Sequence, residues 1–345
     1  MLLAVGFLAT VAVVNYRGVG ESVKANVVLT LVEMSGLALV IVVGLFATVG
    51  GRADFPRVVA FETPGDKGWF LALTTATSLA FFAMIGFEDS VNMAEETKDP
   101  VQIFPKVMLT GLCVTGLIYV LVSVASVALV PVGTLAASET PLVEVVLAGA
   151  PGLPIRSIMP FISMFAVANS ALINILMASR LVYGMAGQRV VPPILGRVGE
   201  TRRTPWVAIL FTTVLAFGLI ILVSFASSDA VRTLGGTTAL LLLGVFAVVN
   251  SAVLVLRRDR SLREYFCSPT AFPIIGMITC LYLVTPISGR DVAQYVVAGW
   301  LLLVGCALFG ITMMINRRLG VAPDQSAIRR NPDPVSHSER RPPKT

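Results

Sequence analysis

Long apolar runs separated by short polar connections make up most of this chain. A helix rises 1.5 Å per residue, so about 20 apolar residues are needed to cross a hydrocarbon core of ~30 Å. Eight runs come close to or meet that length and predict membrane-spanning helices: Val27–Val49, Trp69–Phe87, Val107–Val130, Ile158–Ala178, Trp206–Phe225, Leu234–Leu256, Phe272–Ile287 and Val292–Ile315. The seventh is short and bounded by Pro273 and Pro286, and the second is expected to run on past its apolar core. A further run, Leu2–Val14, gives only ~20 Å of helix. It has no basic leader or small-residue cleavage site and passes straight into Asn15-Tyr16-Arg17, so residues 1–14 are expected to be part of a span. Between Pro131 and Pro154, the stretch Pro141–Leu147 predicts a short interfacial helix on the outer face. Residues 319–345, with Pro332, Pro334, Pro342 and Pro343 among polar neighbours, predict a disordered tail.

The apolar pattern is broken most sharply over Phe81–Pro105, FFAMIGFEDSVNMAEETKDPVQIFP. Glycine enters at Gly86, then Glu88 and Asp89 stand where a span should still be dry. A charge at such depth costs roughly 2.5–3.5 kcal/mol on insertion scales, so protein or water must surround it. Gly86 costs about 1 kcal/mol in a helix relative to alanine. A helix break over Ala83, Met84, Ile85, Gly86 and Phe87 would free backbone groups at mid-membrane, which is tolerated only where they line a cavity. Half-helix ends carry partial charges of about half an electron, positive at N-termini and negative at C-termini. Such ends suit a zwitterion. Close helix packing at Gly86 is the competing reading.

A second acid, Glu33, lies inside Val27–Val49 at roughly 10–13 Å depth. Desolvation favours the neutral form of a carboxylate at that depth, which makes it a candidate proton carrier. A structural hydrogen bond across a helix interface is the other reading. Ser163, Asn169, Ser170, Asn174 and Ser179, in and beside Ile158–Ala178, are expected to bond between helices, at ~0.6 kcal/mol each on average. Gly235, Gly236 and Gly299 are expected to mark tight packing.

Composition agrees with a membrane protein: 56% of residues are hydrophobic and 13% charged, against about 25% charged in a soluble domain. The net charge of +6 does not argue for nucleic acid, because the basic residues stand between apolar runs and in the tail. Counted by alternate loops, 20 of the 26 Lys and Arg fall on one side together with the C-terminal end. The other side has Arg52, Arg57, Lys67, Arg156, Arg232 and Arg290. The richer side, with the C-terminus, is expected in the cytoplasm, the chain lying in the plasma (inner) membrane. Cys113, Cys267, Cys280 and Cys306 are scattered and His337 lies in the tail, so no disulfide framework, metal site or histidine base is expected. With no GxSxG or HExxH motif either, neither enzyme chemistry nor a cofactor is expected.

In the break segment the order Gly86-Phe87-Glu88, Ala94-Glu95-Glu96, Lys98, Pro100 and Pro105 resembles the amino acid–polyamine–organocation (APC) superfamily of permeases. Asn15-Tyr16-Arg17-Gly18 with Glu21, Ser22 and Asn26 is similar to the cytoplasmic start of that family's fifth span. Ser179-Arg180-Leu181, Tyr183-Gly184-Met185-Ala186 and Thr204-Pro205 are similar to its loop after the eighth. The resemblance implies an all-α integral membrane protein with a leucine-transporter-like inverted-repeat fold. Residues 15–318 would be its fifth to twelfth spans, with about the first three and a half spans lacking. It also implies a substrate site between broken first and sixth spans, the sixth breaking at Ala83–Phe87 with Glu88 just past it. Glu95 and Glu96 match a gate or a structural ion pair. Many relatives carry a lysine near Glu33, so a coupling role for it stays open.

The function expected is secondary-active transport of amino acids driven by a proton gradient, with Glu33 as the candidate proton carrier. The alternative is an inactive fragment of such a permease. The partners expected are an amino acid or polyamine substrate and the lipid bilayer, without nucleic acid. Substrate choice and oligomeric state stay open.

Overall fold

The computed structural model describes residues 6–7, 10–13, 16, 19–60, 68–88, 90–91, 99–199, 204–226, 230–257 and 268–318. The 319–345 tail, Cys267, Asp89, Glu95, Glu96 and Lys98 lie outside the described residues, as do residues 1–5.

Among the described residues all regular structure is helical. The elements are α1 (Val19–Val49), α2 (Pro56–Val59), α3 (Trp69–Ala83), α4 (Pro100–Leu129), α5 (Val132–Ala137) and α6 (Pro141–Gly149). They continue with α7 (Ile155–Gly187), α8 (Trp206–Ala226), α9 (Ala230–Leu256), α10 (Ala271–Val284) and α11 (Val292–Arg318). Short 3₁₀ turns cover Pro193–Gly196 and Pro286–Ser288. Each of the eight apolar runs holds one long helix. Among the described residues five of these helices, α1, α4, α7, α9 and α11, are long and apolar enough to cross a membrane; α3 and α10 are shorter apolar helices, and α8 is apolar over at least Trp206–Ile221.

The ends of the helices depart from the apolar runs because backbone hydrogen bonding continues where hydropathy stops. Helix α1 begins at Val19 and α4 at Pro100. A proline at the first position of α4 loses nothing, since its amide would be unpaired there anyway. Helix α7 runs to Gly187. The segments Ser179–Leu181 and Tyr183–Ala186, expected in a loop, therefore lie on its last turns. The chain then leaves through Arg189 at φ 57°. Helix α3 departs the other way. Expected to outrun its apolar core, it stops at Ala83, and its 15 residues give only about 22 Å.

Two groups of helices form around different partners. Helix α1 packs against α4, α6 and α7, while α9 packs against α3, α10 and α11, and α8 touches both α7 and α9. The main apolar cluster joins Val40 and Val43 of α1 to Val143, Val145 and Val146 of α6 and Ile155 and Met159 of α7. Helix α6 is thus the short helix expected between Pro131 and Pro154. Its valines are buried against α1 and α7. Val11 joins a second cluster with Leu172 and Ile175, against Ala216 and Phe217 of α8. The Thr204 hydroxyl donates to the Tyr16 carbonyl at 3.4 Å, which brings two of the motif segments together.

Lipid tails are as apolar as leucine, so helices in a membrane associate through close packing and small residues. Gly36 lies against Ile162, Gly44 against Ala125 and Gly149 against Val43. Gly235 packs on the Phe82 ring and Gly236 on Gln294, as expected of tight packing, but Gly299 has open space where a Cβ would stand. Of the polar residues on α7, Asn169 reaches α1, whereas Asn174 donates to Ser170 O and Ser179 to Leu176 O within α7 itself. Only Asn169 of these three forms the interhelical bond expected.

Candidate functional site at a broken helix

The last four carbonyls of a helix have no partner inside it, and a helix that stops within a membrane must satisfy them some other way. At the end of α3 the Met84 amide donates to Phe81 O at 3.1 Å and the Ile85 amide to Phe82 O at 3.3 Å. The Tyr119 hydroxyl of α4 donates to Ala83 O at 2.9 Å. Met84–Phe87 form a turn, and Gly86 adopts φ 126°, a backbone region that L side chains rarely enter. A Cβ placed on Gly86 would meet nothing within 4 Å. The glycine is therefore required by the dihedral and not by close helix packing.

Past the turn, Glu88 folds back and its Oε2 accepts the Gly86 amide at 2.9 Å. The Ser90 amide donates to Phe87 O at 3.3 Å. Two aromatic contacts hold the flanks of the turn: Phe246 of α9 lies 6.0 Å from Phe81 and 5.6 Å from Phe87, centroid to centroid. Ala83, Met84, Ile85, Gly86, Phe87 and Glu88 thus form one small unit. It comprises the carbonyl end of a half-helix, a strained turn and a carboxylate. Carbonyl end and carboxylate are both negative, so the unit favours a cationic group. Among the described residues, no group of three or more His, Cys, Asp or Glu could hold a metal ion.

Glu33 lies apart from that unit but is linked to it. Its carboxylate is a long 3.5 Å from Asn169 Nδ2, which also donates to Thr30 Oγ1 at 3.1 Å. The Oδ1 of buried Asn169 has no partner among the described residues. Tyr119, whose hydroxyl holds Ala83 O, is within electrostatic reach of Glu33. Helices α1 and α7 thus meet at Glu33 and Asn169, and α4 meets the end of α3 at Tyr119 and Ala83. No ion pair of Glu33 occurs among the described residues. Tyr119 and Phe246 were not among the expected site residues. Tyr119 does leave a trace in the sequence, as a hydroxyl inside the run Val107–Val130, whereas Phe246 cannot be told from any other apolar residue of its run.

The profile of the family described as Amino acid permease matches residues 1–309. A branched-chain amino acid permease of Bacillus subtilis is 27% identical over 84% of this chain and 59% of its own length. An uncharacterized transporter of Mycobacterium tuberculosis is 28% identical over 92% of this chain and 67% of its own. A D-serine/D-alanine/glycine transporter of Escherichia coli is 24% identical over 67% of this chain and 50% of its own. The chain thus spans roughly half to two thirds of the length of these relatives. They are transporters rather than enzymes. With a profile covering most of its length and several helices apolar enough to span a bilayer, this chain is a multi-pass membrane protein that belongs to the amino acid permease family of the APC superfamily.

Proposed function

We propose that the protein carries amino acids across the plasma membrane by secondary-active transport, without covalent chemistry and with its C-terminus in the cytoplasm. The observation that carries this reading is the break of α3 at Ala83, with Gly86 at φ 126° and Glu88 folded onto the Gly86 amide. The half-helix end presents about half a negative charge, and the Glu88 carboxylate adds to it. Together they form one wall of a site for the ammonium group of an amino acid. In the fold implied by the resemblance, the first span supplies the facing wall. Movement of one group of helices against another around such a site gives alternating access. Two of the relatives are named for amino acids, which supports amino acids ahead of polyamines.

Proton coupling is assigned to Glu33. It has no ion-pair partner among the described residues, and Asn169 holds it only weakly. Tyr119, which bonds Ala83 O, interacts with it electrostatically. A change of charge at Glu33 would thus be felt at the break. The test is uptake of radiolabelled leucine, serine, lysine and putrescine by proteoliposomes, with and without an inward proton gradient. The gradient is expected to raise initial amino acid uptake several-fold, and Glu33→Gln to remove that stimulation while thermal-shift binding of the substrate remains. Equal stimulation in Glu33→Gln would remove Glu33 from the mechanism. Absence of uptake of every substrate would favour a chain with no transport of its own.

Tyr119→Phe is a milder probe of the same link. It removes one hydrogen bond to Ala83 O, worth about 1 kcal/mol, so initial uptake should fall by about fivefold. Helix content by circular dichroism should not change. Wild-type uptake in this variant would show that the hydroxyl does not hold the break.

A further inference from the structure

A second polar site lies where α11 begins, at the end of that helix opposite Arg318. Here the start of α9, the turn at Pro286–Ser288 and the middle of α3 enclose a cavity of about 300 Å³, a volume at the lower end for small-molecule sites. Arg290 lines it and is only 9% exposed. Its Nε donates to Leu283 O at 2.7 Å, and its Nη1 donates to Gly236 O and to Gln294 Oε1, each at 3.0 Å. All three acceptors are neutral: they orient the guanidinium without cancelling its charge. Among the described residues its buried Nη2 has no partner, and Arg290 makes no ion pair.

A buried charge with no counter-charge is costly, and an isolated one is rare. Desolvation by burial pulls the Arg290 pKa below the ordinary arginine value, with the nearby Tyr295 acting in the opposite sense. Arginine nevertheless stays protonated in proteins.

The surroundings are built to the same end. Ser78 is 4% exposed, lines the cavity, and its hydroxyl has no hydrogen-bond partner among the described residues. Arg232 stands at the same cavity as an exposed second cation. Asp291 also lines it, but one of its carboxylate oxygens, Oδ1, accepts the Ala293 amide at 3.1 Å at the start of α11. Among the described residues, two arginines and one aspartate line the cavity, a net charge of +1. The walls approach closely through glycine: a Cβ on Gly236 would collide with the Gln294 amide, and one on Gly289, at φ 85°, with Thr75 Oγ1.

We propose that this cavity binds one oxyanion group, a carboxylate or a phosphate, held by Arg290 with Ser78 and with Arg232 at its edge. The site is distinct from the break in α3, and it ties that half-helix to α9 and α11 when occupied. Its ligand can come from two sources, a small anion in solution or the headgroup of an anionic lipid.

The test needs no transport. The purified protein is placed in phosphatidylcholine nanodiscs and titrated with sodium acetate or sodium phosphate against sodium chloride at constant ionic strength, while the thermal unfolding midpoint is followed. A parallel set of nanodiscs replaces part of the phosphatidylcholine with phosphatidylglycerol. A ligand that binds the folded state alone raises the midpoint in a saturable way. A saturable rise in the first arm identifies a soluble anion, and a rise confined to the second identifies a lipid headgroup. In either arm, Arg290→Gln is expected to weaken binding by about tenfold or more, since hydrogen bonds to a charged group are lost. Ser78→Ala and Arg232→Gln, which leave the buried network of Arg290 intact, should each weaken it several-fold, and they carry the test if Arg290→Gln does not fold. A flat midpoint in both arms would overturn the proposal. So would a rise of equal size in wild type, Arg290→Gln, Ser78→Ala and Arg232→Gln.

Discussion

Gly86→Val is expected to reduce initial amino acid uptake by at least tenfold while leaving the thermal unfolding midpoint close to wild type. The cause is confined to one dihedral. Gly86 sits at φ 126°, and a Cβ there would meet no atom within 4 Å, so the substituent has room but the backbone does not tolerate it. Holding an L residue in such a region costs about 1–3 kcal/mol. The chain relieves that cost by rotating out of the turn, which moves the Gly86 amide away from Glu88 Oε2 and the Phe87 ring away from Phe246. Few other contacts depend on the turn, so the damage falls on the site and not on the fold. Gly86→Ala should show most of the loss, because the strain begins with Cβ. Wild-type uptake in both variants would show that the positive φ is not needed.

Gly44→Leu should have its largest effect on stability. A Cβ on Gly44 would stand 2.5 Å from Ala125 Cβ and 3.5 Å from its Cα. A leucine there must push α1 and α4 apart. Overpacking of this kind costs on the order of 1–3 kcal/mol, read as a lower unfolding midpoint in detergent or nanodiscs. Gly116→Leu on α4 is the control: a Cβ at Gly116 meets nothing within 4 Å, so the midpoint should hardly move. The exchange Gly44→Ala with Ala125→Gly returns one methyl group to the same gap and should recover most of the stability lost in Gly44→Ala alone. No recovery would mean that the contact between α1 and α4 is not set by these two residues.

The helices were largely legible in the sequence because each is long, apolar and stabilised by its own backbone bonds. A membrane offers no other partner for amide and carbonyl, so an apolar run of suitable length has few alternatives to a helix. The ends were less legible. Hydropathy stopped at Ala178, but α7 continues to Gly187, since nothing in Ser179–Ala186 interrupts the helical bonds. Helix α6 was visible as a helix, but the protein partners of its valines were not. Its pattern of valines reads the same whether lipid or protein covers it, and only the packing of α1 and α7 against it shows which.

The candidate site divides in the same way. Gly86 and Glu88 stand out in the sequence as a helix breaker and a charge where neither should be. Arg290 did not stand out, because a basic residue between two spans is ordinary for a loop. Its burial and its unpaired Nη2 arise from contacts with Leu283, Gly236 and Gln294.

By itself the sequence determined the class of the molecule, the position of its apolar helices and the segment in which α3 is broken. Those features depend on local composition and on bonds within a few residues. Tertiary structure alone decided that Tyr119 of α4 meets Ala83 O, that Phe246 of α9 flanks the turn, and that Arg290 is buried with its Nη2 unpartnered among the described residues. These contacts join residues far apart in the chain. They are set by which helix faces meet, and no local pattern along the sequence encodes that pairing.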